Sequence, residues 1–248
     1  MHAIFNKYNP FNFTKFQLKK INFMAKKEQI FDDWPERYDN WFETPIGKVI
    51  KEFEADLTMD MLGPDSGQYI LDAGCGTGIF TEYFLAAGAK IKGLDLSEPM
   101  LLRAAKKFKD KDFSYLPGDI TRLPFENETF DKAISVTSIE FIKDGKKAVD
   151  ELFRVVKHGG SVLVATLNSL SPWAARRTEQ GKKGHPIFKS AIFRSPEDML
   201  ALAPGIAGEC RSCIHFAKDE DLEKARGIEE SSKGLNSGAF LMVKWIKP

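Results

Sequence analysis

Tyr69-Ile70-Leu71 is a short apolar run that closes on Asp72 and leads straight into a glycine loop, Asp72-Ala73-Gly74-Cys75-Gly76-Thr77-Gly78, with a helical pattern from Phe80 to Ala87 behind it. This strand, loop and helix constrain the fold more than any other stretch of the chain. Glycines let the backbone come close to a ligand, and the free N–H groups at a helix start attract negative charge. The pattern then repeats. Ile91 to Leu94 reads as a second strand, and Ser97-Glu98-Pro99 as a helix start with cap, first-turn acid and Pro. Phe113 to Leu116, Lys132 to Val136 and Ser161 to Leu167 supply three more strands. Between the last two, Ala148, Val149, Leu152, Phe153 and Val156 share one helical face, which Gly159-Gly160 terminates. Strands separated by helices of this length imply right-handed crossovers and a parallel sheet covered on both faces, the α/β class.

Upstream, Thr44-Pro45 opens a helix that carries Ile46, Val49, Ile50, Phe53, Leu57 and Met61, and Gly63-Pro64 closes it. Downstream, Cys213 to Ala217 and Ala239 to Trp245 read as strands paired antiparallel at one edge. Lys218 to Gly238 reads as an exposed connection without a helix.

The chain has 248 residues, 36 Lys and Arg against 35 Asp and Glu, and three cysteines. That is enough for one large domain. The balance argues against a broad basic surface for nucleic acid, and the cysteines are too few for a disulfide framework, which points to a reducing, cytoplasmic setting. No apolar run reaches the ~18–20 residues of a membrane span. Residues 1–23 differ from the rest, with four lysines and no acid; 36 basic residues less these four leave 32 against the 35 acids. We expect 1–23 to be a disordered or non-native extension, with Met24 as the natural start. Residues 24–248 would then form a single domain, with a cofactor-binding core at 44–167 and an acceptor-side insertion at 168–194.

The loop alone is compatible with any Rossmann-type nucleotide site. Asp72 narrows the choice, because a carboxylate there would oppose a pyrophosphate but suits a ligand with an ammonium group. Asp95, ending the second strand, can accept hydrogen bonds from ribose hydroxyls. Asp119, in Gly118-Asp119-Ile120 after the third strand, can accept from an exocyclic amine such as that of adenine.

These residues, with Leu123-Pro124-Phe125, Phe130-Asp131 and Glu151-Leu152-x-Arg154-Val155-Val156-Lys157-x-Gly159-Gly160, resemble the class I S-adenosylmethionine-dependent methyltransferases. Within them, the small-molecule branch that includes ubiquinone and menaquinone methyltransferases is the most similar. The resemblance covers about Tyr38 to Leu167. It implies a Rossmann-like, seven-stranded, mostly parallel sheet with helices on both faces and an antiparallel C-terminal edge strand. It also implies S-adenosylmethionine as cofactor. Gly74, Cys75, Gly76 and Gly78 would hold the methionine portion, with Asp72 near its amino group and Ser135 beside the methionine end. Asp95 would bind the ribose, Leu96 and Met100 would flank adenine, and Asp119 with the Ile120 N–H would read its edge. His158 departs from the family, which usually has Pro before Gly-Gly.

Methyl transfer needs alignment and exclusion of water more than a protein nucleophile. A general base is required only for an acceptor that must lose a proton, and Glu140 and His185 are the candidates. Two segments would choose the acceptor. One is the aromatic stretch Phe31 to Phe42, with Trp34, Tyr38 and Trp41, which either closes over the cofactor or packs the first helix onto the sheet. The other is the insertion, where Arg176, Arg177, Lys182, Lys183, Lys189 and Arg194 face a single acid, Glu179. Its charge suits an anionic acceptor or an acidic surface, or forms a solvated face. Cys210, Cys213 and His215 do not make a metal site, since strand alternation sets Cys210 opposite the other two. The expected partner is a small-molecule acceptor, with no nucleic acid; a homodimer stays open. A nicotinamide-dependent dehydrogenase and a non-catalytic S-adenosylmethionine-binding regulator are the rival readings.

Overall fold

The computed structural model describes residues 29–248 apart from 233 and 235. The basic extension and Met24 lie outside the described residues. Two helices lead into the sheet, α1 (Pro35–Glu43) and α2 (Pro45–Leu62). Thr44 joins them. Its hydroxyl accepts from the Gly47 N–H at 3.1 Å and caps α2, which Gly63 ends in the left-handed region. There follow β1 (Tyr69–Ala73), α3 (Thr81–Ala86), β2 (Lys90–Asp95), α4 (Glu98–Lys107), β3 (Phe113–Pro117), β4 (Phe130–Val136), α5 (Gly145–Val155) and β5 (Val156–Leu167). The C-terminal third adds α6 (Pro172–Lys182), α7 (Pro196–Leu200), β6 (Gly208–Cys213), α8 (Leu222–Ser231) and β7 (Phe240–Ile246).

The sheet runs β3-β2-β1-β4-β5-β7-β6. The first five strands are parallel, and β7 pairs antiparallel with both β5 and β6. The expected seven-stranded α/β class is therefore present. The C-terminal strand is the antiparallel one, lying one place in from the edge that β6 forms. Strand order reverses at β1, with β2 on one side and β4 on the other, and this opens a crevice at the carboxyl ends where α/β sheets bind ligands.

Side chains alternate along β7. Phe240 and Met242 join a core with Val49, Leu57 and Met61 of α2 and Phe84 of α3. Leu241, Val243 and Trp245 join Ala148, Val149 and Leu152 of α5 on the other face. Each such fully buried side chain contributes roughly 1.5–3 kcal/mol.

Part of the recognised motif holds the fold rather than a ligand. The Arg154 guanidinium donates to the Phe125 carbonyl at 2.8 Å and the Leu123 carbonyl at 3.0 Å, and the Leu123 N–H donates to Glu151 at 2.7 Å. Asp131 accepts from the Tyr69 N–H at 2.7 Å and pairs with Lys157. His158 is exposed beside Glu128 at 3.0 Å.

The expected strand Cys213 to Ala217 lies earlier, at Gly208–Cys213, because Ile214 takes φ 66° and turns the chain. Cys210 and Cys213 do face opposite sides, packing on different cores. His215 lies beyond the strand, where its backbone and ring meet the buried Glu229 at 2.8 and 3.1 Å. The connection expected to lack a helix contains α8, capped by Asp221 and turning Ala225, Ile228 and Glu229 inward. Its spacing of three is obscured by the surrounding charges. The insertion likewise folds into α6, capped by Ser171.

Candidate active site

A cavity of about 220 Å³ opens at the carboxyl ends of β1, β2, β3 and β4. Asp72, Gly74, Cys75, Gly76, Asp95, Leu96, Met100, Asp119 and Ile120 all line it. Two of the expected cofactor residues do not. Gly78 has φ +82°, and a Cβ there would lie 2.4 Å from the Phe108 ring, so it is needed for close packing of the loop on the end of α4. Ser135 is fully buried and reaches the wall only through its 2.6 Å hydrogen bond to Ser138. The wall at the end of β4 is instead Val136, Thr137 and Ser138, with Phe141 and Ile142 beyond. Thr137 sits at φ 47°, a strained conformation for a β-branched residue of the kind that gathers at functional sites. Sequence reading missed these residues, and also Ile79, Phe80, Gln29 and Ile30. Only the strained backbone marks Thr137, and sequence does not display it.

Asp72 ends its strand almost wholly buried and accepts from the Thr81 hydroxyl at 2.6 Å. Burial pushes its carboxyl up to about 7; the Thr81 bond opposes this and the Asp95 charge reinforces it. Asp95 accepts from the Gly76 and Ser97 N–H groups, both at 2.9 Å, which fixes the loop against the end of β2. Burial raises its carboxyl as well, against those hydrogen bonds. Asp119 uses Oδ1 to cap the turn at Thr121, accepting at 2.8 Å from both its N–H and its hydroxyl. Among the described residues no Lys or Arg forms an ion pair with Asp72, Asp95 or Asp119. Three acids thus meet one cavity without a cationic side chain to balance them, a donor set that fits a ligand carrying ammonium and sulfonium charge.

The aromatic segment divides residue by residue. Phe31 and Tyr38 line the cavity, Phe42 is in the core, and Trp34 packs on His185 with ring centres 6.1 Å apart. Asp39 ties α1 down by accepting from Thr77 at 2.6 Å and Lys107 at 2.9 Å, and from Arg103.

Glu140 lies in a short turn after β4 and is 3% exposed; its place just past the fourth strand suggests the mouth of the pocket, but it is buried and not among the residues that line the cavity. Its Oε1 accepts from the Leu167 N–H at 2.9 Å, while the buried Oε2 has no hydrogen-bond partner among the described residues. Burial pushes the carboxyl up to about 7, and the N–H bonds and the charges of Arg177 and Arg194 pull it down. His185 does not line the cavity. Its ring stacks on Phe188 at 4.5 Å, and its Nδ1 accepts from the Ile187 N–H at 3.3 Å. Arg194, one of the insertion's cations, is buried and donates to the carbonyls of Ile139 and Ile142, so it is part of the scaffold.

The fold and the cavity define an α/β protein with a cavity at the carboxyl edge of its parallel strands, over a glycine loop. A family of methyltransferase domains matches residues 71–164. The demethylmenaquinone methyltransferase of Renibacterium salmoninarum is 32% identical over 179 residues, 71% of this chain and 74% of that protein. The malonyl-[acyl-carrier protein] O-methyltransferase of Erwinia billingiae is 43% identical over 103 residues, and there the match spans only 42% of this chain and 40% of the relative. Among solved structures, a Thermotoga maritima S-adenosylmethionine-dependent methyltransferase, described as a possible histamine N-methyltransferase, superimposes with a TM-score of 0.73 at 27% identity, covering 88% of this chain and 99% of that one. The chain belongs to the S-adenosylmethionine-dependent methyltransferases.

Proposed function

We propose that this protein transfers a methyl group from S-adenosylmethionine to a small-molecule acceptor and releases S-adenosylhomocysteine. The observation that carries this reading is the meeting of Asp72, Asp95 and Asp119 at one cavity with no ion-pairing cation among the described residues. Bound there, the cofactor supplies a methyl group on a positively charged sulfur, an electrophile that needs no nucleophile from the protein.

The chain's own residues bind, orient and exclude water. Asp72 holds the ammonium, which favours its ionised form. Asp95 accepts from ribose hydroxyls with the lone pairs that Gly76 and Ser97 leave available, and Asp119 with the Ile120 N–H reads the adenine edge between Leu96 and Met100. Gly74, Cys75 and Gly76 bring their backbone against the methionine portion, and Phe31 and Tyr38 keep water out. Glu140 is the first candidate base for an acceptor that must lose a proton, since its Oε2 has no hydrogen-bond partner among the described residues and burial pushes its carboxyl up to about 7. His185, stacked between Trp34 and Phe188, is the lesser choice. The near-neutral charge favours a small molecule over nucleic acid, and the free cysteines accord with a cytoplasmic setting. Among the described residues no helix is long and apolar enough to cross a membrane.

Calorimetric titration with S-adenosylmethionine, S-adenosylhomocysteine and NAD tests the reading. Both sulfur ligands should bind and NAD should not. Asp95→Ala should weaken them by about 1.5–3 kcal/mol, the worth of hydrogen bonds to a charged group. Binding of NAD alone would replace this reading with a dehydrogenase. Tight cofactor binding with no demethylated product across an acceptor panel would favour a regulator.

A further inference from the structure

The cavity at the carboxyl ends of the strands has two unlike halves. Toward β2 and β3 it carries Asp95, Asp119 and the backbone of Gly118 and Ile120, the half that suits the cofactor's nucleoside. Past β1, at the end of β4, its wall is Val136, Thr137, Phe141 and Ile142, and the N-terminal segment adds Ile30, Phe31 and Tyr38. The two segments meet. The Phe31 and Phe141 ring centres lie 5.0 Å apart with their planes at 82°. Two rings set nearly at right angles form a corner, and a planar body fits it with its face on one ring and its edge toward the other. Ile30 is 41% exposed at the rim, and Phe31, Phe141 and Ile142 are only partly buried, so this half presents apolar surface for a ligand to cover.

Charge is missing from this half in a way that selects the ligand. Among the described residues no Lys, Arg or His lines any part of the cavity. Arg194, behind the same wall, gives its donors to the Ile139 and Ile142 carbonyls at 2.8 and 3.1 Å. The hydroxyls on this side are uncharged, those of Tyr38 and Thr137 and that of Ser138, which is tied to Ser135 at 2.6 Å. A carboxylate or phosphate entering here would lose its water and gain no counter-charge. An ammonium would come to lie beside the cofactor's sulfonium, like charge against like charge. Asp72, the acid that ends the adjoining β1, is taken by the cofactor's ammonium in the methyltransferase reading.

We propose that the half of the cavity at the end of β4 is the acceptor's seat and that it takes an uncharged small molecule with a planar aromatic body, stacked in the Phe31–Phe141 corner. The proposal rests on the methyltransferase reading and adds the charge and shape class of the acceptor. The body is held by apolar contact with the two rings, Ile30 and Ile142. The hydroxyls of Tyr38 and Thr137 are the polar groups that orient a hydroxyl or carbonyl on it toward the cofactor half.

The test is calorimetry on the full chain saturated with S-adenosylhomocysteine, with naphthalenemethanol, naphthoate, naphthalenemethylammonium and n-octanol as probes. The first three share a planar body and differ in charge; the last is apolar without a face to stack. Naphthalenemethanol should bind at least about tenfold more tightly than either charged counterpart, and more tightly than n-octanol. Phe141→Ala should weaken it about tenfold and Phe141→Leu by less, both at unchanged affinity for S-adenosylhomocysteine. That unchanged affinity also reports that each variant is folded. If Phe141→Ala fails it, Ile30→Ser at the exposed rim carries the test, with an expected loss of about threefold. The proposal is overturned if naphthalenemethanol fails to bind at millimolar concentration, if a charged counterpart or n-octanol matches it, or if folded variants bind it as well as the wild type. Failure of the wild type to bind S-adenosylhomocysteine would instead sink the methyltransferase reading on which the proposal rests.

Discussion

Asp72 is buried at a cost to the fold that the proposed ligand would offset. Its carboxyl is buried without a cation, hydrogen bonded to Thr81 and held up to about 7. A bound ammonium would supply the missing charge. Asp72→Asn keeps the shape and an acceptor for the Thr81 hydroxyl while removing the charge. It should weaken S-adenosylhomocysteine by roughly 1.5–3 kcal/mol in calorimetry without lowering the melting temperature at pH 8. A parallel loss of both would make Asp72 a structural residue. The strand-end acids were legible because chemistry forces them to particular places in a strand-loop-helix unit. Gly78 and Ser135 looked equivalent to their neighbours in one dimension, but packing against Phe108 and Ser138 turns them away from the cavity.

Among the elements, α1 packs Phe42 into the core and is tied to the glycine loop and α4 by one carboxylate. Asp39 is its inward-facing acid, and its partners are Thr77 in the glycine loop and Arg103 and Lys107 on α4. These cations and the Thr77 hydroxyl hold the Asp39 carboxyl below the usual range, although burial acts the other way. Asp39→Asn should cost about 1–3 kcal/mol in chemical denaturation and also weaken S-adenosylhomocysteine, because Gln29 to Phe31, on the N-terminal side of this helix, line the cavity. A stability loss with unchanged affinity would restrict α1 to packing. Helices α2 and α4 could be read from their Thr44 and Ser97 caps, and α2 from its Gly63 stop as well. Helices α6 and α8 could not, because few apolar residues among many charges leave a faint period, and only contact with the sheet reveals which face is buried.

At the scale of the molecule, the deep acids give stability a definite pH dependence. Asp72 and Glu140 titrate near 7 and Glu54 near 8 when folded, against roughly 4 in an unfolded chain. Between those values the folded state binds more protons, so stability is greatest toward the acid side of this window and falls as pH rises from about 4 to 8. Thermal unfolding of the ligand-free protein should give a lower melting temperature at pH 8 than at pH 5.5. S-adenosylhomocysteine should restore more of it at pH 8, where Asp72 ionises against the ligand's ammonium. A melting temperature that rises across that window would show that these carboxyls are solvated.

By itself the sequence determined the alternation of strands and helices, the place of the glycine loop, and the acids at the ends of β1 and β2 and after β3, because periodicity, caps and strand ends are local properties. Tertiary structure decided which of those residues share a cavity, that β7 slots between β5 and β6, and that Glu140 is buried with its Oε1 on the Leu167 N–H. Burial and electrostatic coupling arise only when distant segments come together. A basic insertion that reads as solvent-facing charge therefore divides into Arg194, which is bound into the scaffold, and Arg177, which stands over the Phe188 ring.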